Sequence, residues 1–332
     1  MKNESSNMEE SIEKAKLLLR TGLVIDGTIN AAFTRDYFVQ MRAAGYLAAI
    51  VTLAMPFYNP DRVFQTLKDV AEWKELISEN SDLVTQVFKA RDILEAKKTS
   101  RTGIIFGMQD AGPFAHDTDL LYVYHSLGLR VTSLAYNWRN ILADGCMEPG
   151  NAGLSHTGRS VVRLIGELRI LLDLSHVGHR SAMEALELSN GPVVLTHSNP
   201  KSVCDSPRNV ADELMDMIAT KGGVVGVSPL PLMLTRRSSK KERTIDDFFP
   251  HLDYVVERIG IDHVGFGSDF YKFNLQDAIS RNVAGTFTAR LEREPVRSEE
   301  DIDPTTKELR HPRGIRGVDE IINPETCVKT MG

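Results

Sequence analysis

Two histidines and an aspartate, His176, His197 and Asp269, are the side chains of this sequence whose types best fit metal-assisted chemistry. Each follows a short apolar run, in Leu172-Asp173-Leu174-Ser175-His176, Leu195-Thr196-His197-Ser198 and Gly265-Phe266-Gly267-Ser268-Asp269. Imidazole and carboxylate suit zinc, iron or manganese, and water on such an ion becomes acidic enough to act as a nucleophile. One histidine in such a place is more often a core hydrogen-bonding group than a ligand. Three groups at matching places point to a site for one divalent metal. Polar residues close other runs in the same way: Thr28 and Asn30 after Val24-Ile25-Asp26-Gly27, Gln109 after Gly107-Met108, and Tyr136-Asn137 after Leu134-Ala135. The remaining histidines, His116, His125, His156, His179, His251, His263 and His311, fall on helices, loops or a strand start and are read as structural or surface groups.

The elements that must position these groups are legible as a rhythm. Eight short apolar runs recur: Leu23–Asp26, Leu47–Leu53, Gly103–Met108, Leu129–Ala135, Leu168–Leu174, Pro192–Thr196, Gly223–Ser228 and His263–Gly267. Runs this short, bounded by turn residues, read as strands buried on both faces. Helix-like stretches separate them: a long charged one over Val63–Lys98, then Ser155–Glu167, His179–Ser189, Asn209–Lys221 and Thr244–Ile259. Eight strand-then-helix units predict an α/β fold, a closed (β/α)8 barrel, with its active site at the C-terminal strand ends. The expected domain is the barrel over residues 21–270, preceded by a polar segment, 1–20, and followed by a polar, Pro-rich tail, 271–332, belonging to the same domain. The basic stretch Arg236–Arg243 reads first as a solvated loop, and second as a clamp for an acidic substrate or partner.

Composition bounds the function. The chain has 332 residues, with 39 Lys and Arg against 45 Asp and Glu, a net charge of −6. That balance argues against a general nucleic-acid binder. No apolar run approaches the ~20 residues of a membrane span. The polar Met1–Lys14 lacks the apolar core of a secretory signal,. Cys146, Cys204 and Cys327 have neither paired spacing nor an even count, as reduced thiols of a cytoplasmic protein would,.

Several of these segments together resemble the renal (membrane) dipeptidase family of metallopeptidases. The resemblance lies in Leu171-Leu172-Asp173-Leu174-Ser175-His176-Val177, Thr196-His197-Ser198-Asn199, Pro207-Arg208-Asn209, Gly222–Val227 and Ile261–Phe270, in the family's order, and in the stretch Tyr122–Asn137. It runs from about Val24 to Phe270 and implies a (β/α)8 barrel of the metal-dependent hydrolase type. It further implies that His176 and His197 are metal ligands, that Arg208 grips a substrate carboxylate and that Asp269 handles a proton. Tyr136 takes the place of a substrate-contacting histidine, with Asn137 beside it. The resemblance also implies two zinc ions, but Thr28 and Asn30 stand where an H-x-D pair is expected, and Gln109 stands for the bridging glutamate. The family's closing helix has no counterpart before Gly332, so a divergent, truncated or partner-completed tail is expected, and a homodimer would cover the apolar surface left exposed.

Charge sets the consequence of those replacements. Two dications about 3.5 Å apart repel by roughly 19 kcal/mol at an effective dielectric of about 20. Asn30 and Gln109 keep the carboxylates' shapes and remove two negative charges, and Thr28 removes an imidazole. The expected centre therefore holds at most one ion, zinc best suited, on His176 and His197 with Asp269 or the Gln109 carbonyl as a weaker third ligand; a metal-free site is the other outcome. Three functions fit: a hydrolase of a dipeptide or a small amino-acid-derived amide, a non-catalytic protein binding the same carboxylate ligand, and an isomerase, epimerase or lyase using the barrel for proton transfer.

Overall fold

All eight apolar runs form strands in the computed structural model, which describes residues 24–30, 33–54, 61–235 and 244–270 and a few positions between 11 and 22. The strands are β1 (Val24–Ile29), β2 (Tyr46–Thr52), β3 (Val84–Gln86), β4 (Thr102–Met108), β5 (Leu129–Ser133), β6 (Leu171–Asp173), β7 (Val193–Leu195), β8 (Val224–Val227) and β9 (Val264–Phe266). Helices α1 (Arg35–Ala43), α2 (Arg62–Glu79), α3 (Ala90–Lys98), α4 (Leu120–Leu127), α5 (His156–Glu167), α6 (His179–Leu188), α7 (Asp212–Thr220), α8 (Pro231–Leu234) and α9 (Phe249–Ile259) lie between them. The Arg236–Arg243 stretch, the 271–332 tail with Cys327, and most of residues 1–20 lie outside the described residues.

The strands are parallel, in the order β2-β1-β9-β8-β7-β6-β5-β4-β3, and a β2–β4 pairing closes the sheet on itself. β4 explains how nine strands make an eight-stranded barrel. On one flank it pairs with β2 from Gly103 to Gly107. On the other, β3 lies beside its first residues and β5 beside its last. β3 is thus an outer strand, and the eight runs read from the sequence are the barrel. β4 is buried along its whole length, as a strand walled on both faces must be,.

One expectation fails. The charged stretch over Val63–Lys98 is two helices and a strand, not one helix. Asn80 ends α2, its side-chain amide donating to the Leu76 carbonyl at 2.8 Å. Asp92 restarts α3 by accepting from the backbone N–H groups of Phe88 and Lys89,. The three residues of β3 between them are too few to register as a break in apolar periodicity,. Elsewhere the starts follow capping chemistry. Ser155 accepts from Gly158 N at the head of α5, and Thr244 and Asp247 cap each other before a single 3-10 turn that leads into α9,.

Two devices hold the rim under the site. Asp26 Oδ1 accepts from Thr28 N at 3.1 Å and from Ser268 N at 2.9 Å, pinning β1 to the end of β9. Gly27, Gly226 and Gly267, from β1, β8 and the end of β9, all face the Thr196 carbonyl, and a Cβ on any of them would run into that oxygen. Three strands can therefore close around the residue that precedes His197.

Candidate active site

At the C-terminal rim the side chains singled out by spacing come together. His176 ends the turn after β6 and His197 the turn after β7, and both are buried. Their Nε2 atoms lie 2.8 Å apart, and Gln109 Oε1, following β4, is 2.8 Å from His176 Nε2. Arg208, 4% exposed, reaches in from the segment beyond His197 and donates from one terminal nitrogen to His176 Nε2 at 3.2 Å. That segment is held by a Pro200–Val210 bridge and by Asn199, which bonds Ser228 N and O after β8. Asn30, following β1, donates to Asp269 Oδ1 at 2.6 Å. Its own Oδ1 accepts from Gln109 Nε2 at 3.3 Å.

The partners of each imidazole decide its tautomer. Thr196 gives its hydroxyl hydrogen to Asp173 Oδ2 at 2.6 Å. Its oxygen, 2.7 Å from His197 Nδ1, must then accept, so His197 carries its proton on Nδ1,. Arg208 donates to His176 Nε2, so His176 also carries its proton on Nδ1, facing Asn137 Oδ1 at 2.8 Å. Both Nε2 lone pairs and the Gln109 carbonyl oxygen therefore converge on one small volume. A proton could relieve that crowding, but burial, and then the nearby Arg208 charge, hold both histidines well below their ordinary pKa,. The convergence fits a cation held by two imidazoles and a carbonyl oxygen. Among the described residues no three His, Cys, Asp or Glu side chains group as metal ligands, and the oxygen nearest His176 Nε2 in this cluster is the Gln109 amide oxygen.

The guanidinium is the complementary feature. Among the described residues Arg208 Nη1 is buried without a hydrogen-bond partner. A buried, half-satisfied guanidinium is a fork shaped for a carboxylate. Tyr136 stacks on His176 with ring centroids 4.0 Å apart and walls the pocket beside it. Asn137 sits behind the same imidazole. Of the seven described non-glycine residues with left-handed backbones, three lie here, His176, Asn137 and Asp269, at φ 69°, 62° and 50°,. Thr28, 1% exposed, and Thr52 place their hydroxyls 3.5 Å apart beneath Gln109.

Three functional neighbours escape a reading of strand ends. Thr52 accepts from Gln109 Nε2 at 2.8 Å, and its signal is the same as that of the others, a polar residue near the close of an apolar run. Asp173 and Thr196 orient His197 from below, lying three residues before His176 and one before His197 in runs read as core. His251 and His263 bond the backbone carbonyls of Leu234 and Gly223, as structural histidines do. Cys146 Sγ lies 3.5 Å from Asn137 Oδ1, and Cys204 is buried.

Comparison with known proteins agrees with the barrel fold. The profile of the membrane dipeptidase family, peptidase family M19, matches residues 10–308. The dipeptidase tcpJ of Claviceps purpurea is 31% identical over 192 residues, 57% of this chain and 45% of that protein. The dipeptidase verJ of Clonostachys rogersoniana is 28% identical over 62% of this chain and 52% of its own length. This chain thus spans about half the length of these curated relatives. An amidohydrolase from Pseudomonas aeruginosa superposes with a TM-score of 0.71 at 34% identity, covering 78% of this chain and 77% of that one. A metallopeptidase from Rhodobacter sphaeroides, crystallised with a phosphinate mimic of L-Ala-D-Ala, shares the fold with a TM-score of 0.67 at 22% identity over 88% of this chain and 97% of that one. With the closed barrel, the histidine pair at its rim and a profile match spanning residues 10–308, the chain belongs to the membrane dipeptidase family of metallopeptidases.

Proposed function

We propose that this protein is a dipeptidase-like hydrolase with a reduced metal centre: at most one divalent ion, held by His176 and His197 with the Gln109 carbonyl as a weaker third donor. The observation that carries the proposal is the convergence of three lone-pair donors beside a buried, half-satisfied Arg208. Zinc best matches two imidazoles and an oxygen, and would supply Lewis acidity, polarising a carbonyl and acidifying water. Arg208 anchors the substrate carboxylate through its open nitrogen. Tyr136 and the backbone around Asn137 bound the space beside it. Asp269, held by Asn30 Nδ2, is the group placed to carry a proton between water and leaving amine,. The phosphinate dipeptide mimic bound by the Rhodobacter enzyme supports a dipeptide, or a small amide with a free carboxylate, as the substrate class. A second ion is disfavoured because Thr28, Asn30, Gln109 and Thr52 are neutral and hydrogen-bond one another.

The absence, among the described residues, of a third charged or imidazole ligand favours a second reading, a carboxylate-binding protein without turnover. Zinc titration by calorimetry, followed by hydrolysis of L-Ala-D-Ala with and without zinc, separates the two. One equivalent of zinc, and turnover lost in His176→Ala, is the expected result. Dipeptide binding that needs Arg208 but neither zinc nor His176, with no turnover, favours the second reading. Two tightly bound equivalents would overturn both.

A further inference from the structure

Gln109 and Asn30 carry amides whose two ends are nearly equal in size and opposite in hydrogen-bonding sense, so something must decide which end faces where. Asp269, buried at the edge of the site, can only accept when ionised,. It takes its hydrogen from Asn30 Nδ2 at 2.6 Å. That contact turns Asn30 Oδ1 toward Gln109, which answers with Nε2 at 3.3 Å. Gln109 Nε2 also lies 2.8 Å from Thr52 Oγ1 and 3.4 Å from Thr28 Oγ1. Its carbonyl is left facing His176 Nε2 at 2.8 Å.

The reversed amide would set a second donor against an imidazole that Arg208 already reaches. An NH2 group facing His176 Nε2 would compete with Arg208 for its lone pair and present no oxygen to a cation. The Thr28 and Thr52 hydroxyls do not resist that reversal, because each can rotate to donate instead of accept. Asn30 Oδ1 opposes it, because the Asp269 carboxylate holds the other end of Asn30, and so does the Arg208 N–H already at His176 Nε2. We infer that Asn30 is a positioning residue that relays the polarity of the Asp269 carboxylate to Gln109, keeping a carbonyl rather than an NH2 group facing His176 and His197. On this view two of the positions that lack the family's ligands are not vestiges; together they convert one distant carboxylate into an oriented neutral oxygen donor. The inference rests on the single-ion reading above.

A double-mutant cycle on cation binding tests it, with Co2+ as the probe, read by calorimetry and by its visible absorption. Asn30→Leu keeps the volume and breaks the relay. It should weaken Co2+ binding about tenfold or more in the otherwise native protein and shift the absorption band as an oxygen donor is lost. In a Gln109→Met background, where there is no amide left to orient, the same change should have no further effect. Asp269→Asn run through the same cycle gives an independent arm if Asn30→Leu does not fold, since an amide at 269 can present either end. Equal weakening in both backgrounds, or none in the native one, overturns the inference while leaving the single-ion reading standing. No saturable Co2+ uptake by the native protein overturns both.

Discussion

Exchanging a carboxylate for its amide changes almost no shape and one full charge, and in the proposed function that difference sets what binds at this rim. Gln109 offers His176 and His197 a neutral oxygen where a glutamate would bring a charge. Gln109→Glu should therefore tighten Zn2+ binding about tenfold or more while stoichiometry stays at one, as measured by calorimetry. Adding Asn30→Asp and Thr28→His to it should admit a second equivalent, because the repulsion between two dications is then offset by two carboxylates. Stoichiometry of one in that triple variant would show that more than ligand charge excludes the second ion. Arg208 is the other residue whose charge has an assigned use. In the proposed function the substrate carboxylate meets the open nitrogen of this buried guanidinium, so Arg208→Met should weaken dipeptide binding by about a hundredfold, read by isothermal titration,.

The elements supply precision through close approach. Gly27, Gly226 and Gly267 let three strands crowd the Thr196 carbonyl, and Thr196 is also the hydroxyl that fixes the His197 tautomer. Gly226→Ala drives a methyl group against backbone, which has no rotamer to escape into. It should cost about 1–3 kcal/mol of stability in denaturant unfolding, and should also weaken metal binding, since relief requires His197 to move. Reading the elements from the sequence succeeds where patterns are long. The run Gly103–Met108 is buried throughout as β4, and Ser155 caps α5 where a helix start is expected. It fails at β3, because three residues between two charged helices carry too little periodicity to register, and pairing with β4 is a contact that local pattern does not encode. It also passes over Asp173 and Thr196, whose work is done across strands, with Thr196 N 3.0 Å from Asp173 Oδ1.

At the scale of the molecule, closing the barrel traps charge. Asp26 joins the first strand to the last, and burial raises its pKa to about 7, against partial stabilisation by the backbone N–H groups of Ser268 and Thr28. A folded-state value above the unfolded one means that the folded protein binds the extra proton between pH ~4 and ~7. Its contribution to stability is thus complete at low pH and is lost as pH rises through that window. Asp173, also raised by burial, acts in the same sense. His176 and His197 act in the opposite one: held neutral in the fold, they cost stability as pH falls below about 6.5, where the unfolded chain takes up protons,. Asp26→Asn isolates the first effect. Relative to the parent it should gain stability on going from pH 4 to pH 7, by up to a few kcal/mol in urea unfolding, and a pH-independent difference would show that Asp26 is not the group responsible. Among the described residues no helix is long and apolar enough to cross a membrane.

The sequence by itself determined the fold class and the chemical inventory. Strand periodicity is local, so eight apolar runs were enough to imply a barrel, and the residue closing each run named the groups at its rim. It also holds amides, Asn30 and Gln109, where the family resemblance implies carboxylates. Tertiary structure alone decided direction: which nitrogen of each imidazole is bare, which end of Gln109 faces the histidines, and that Arg208 has an open nitrogen. Those choices rest on hydrogen bonds between residues far apart in the chain, such as Asn30 to Asp269 across 239 positions. Hydrogen bonds have polarity, and a partner's polarity becomes known only when the barrel brings the two together.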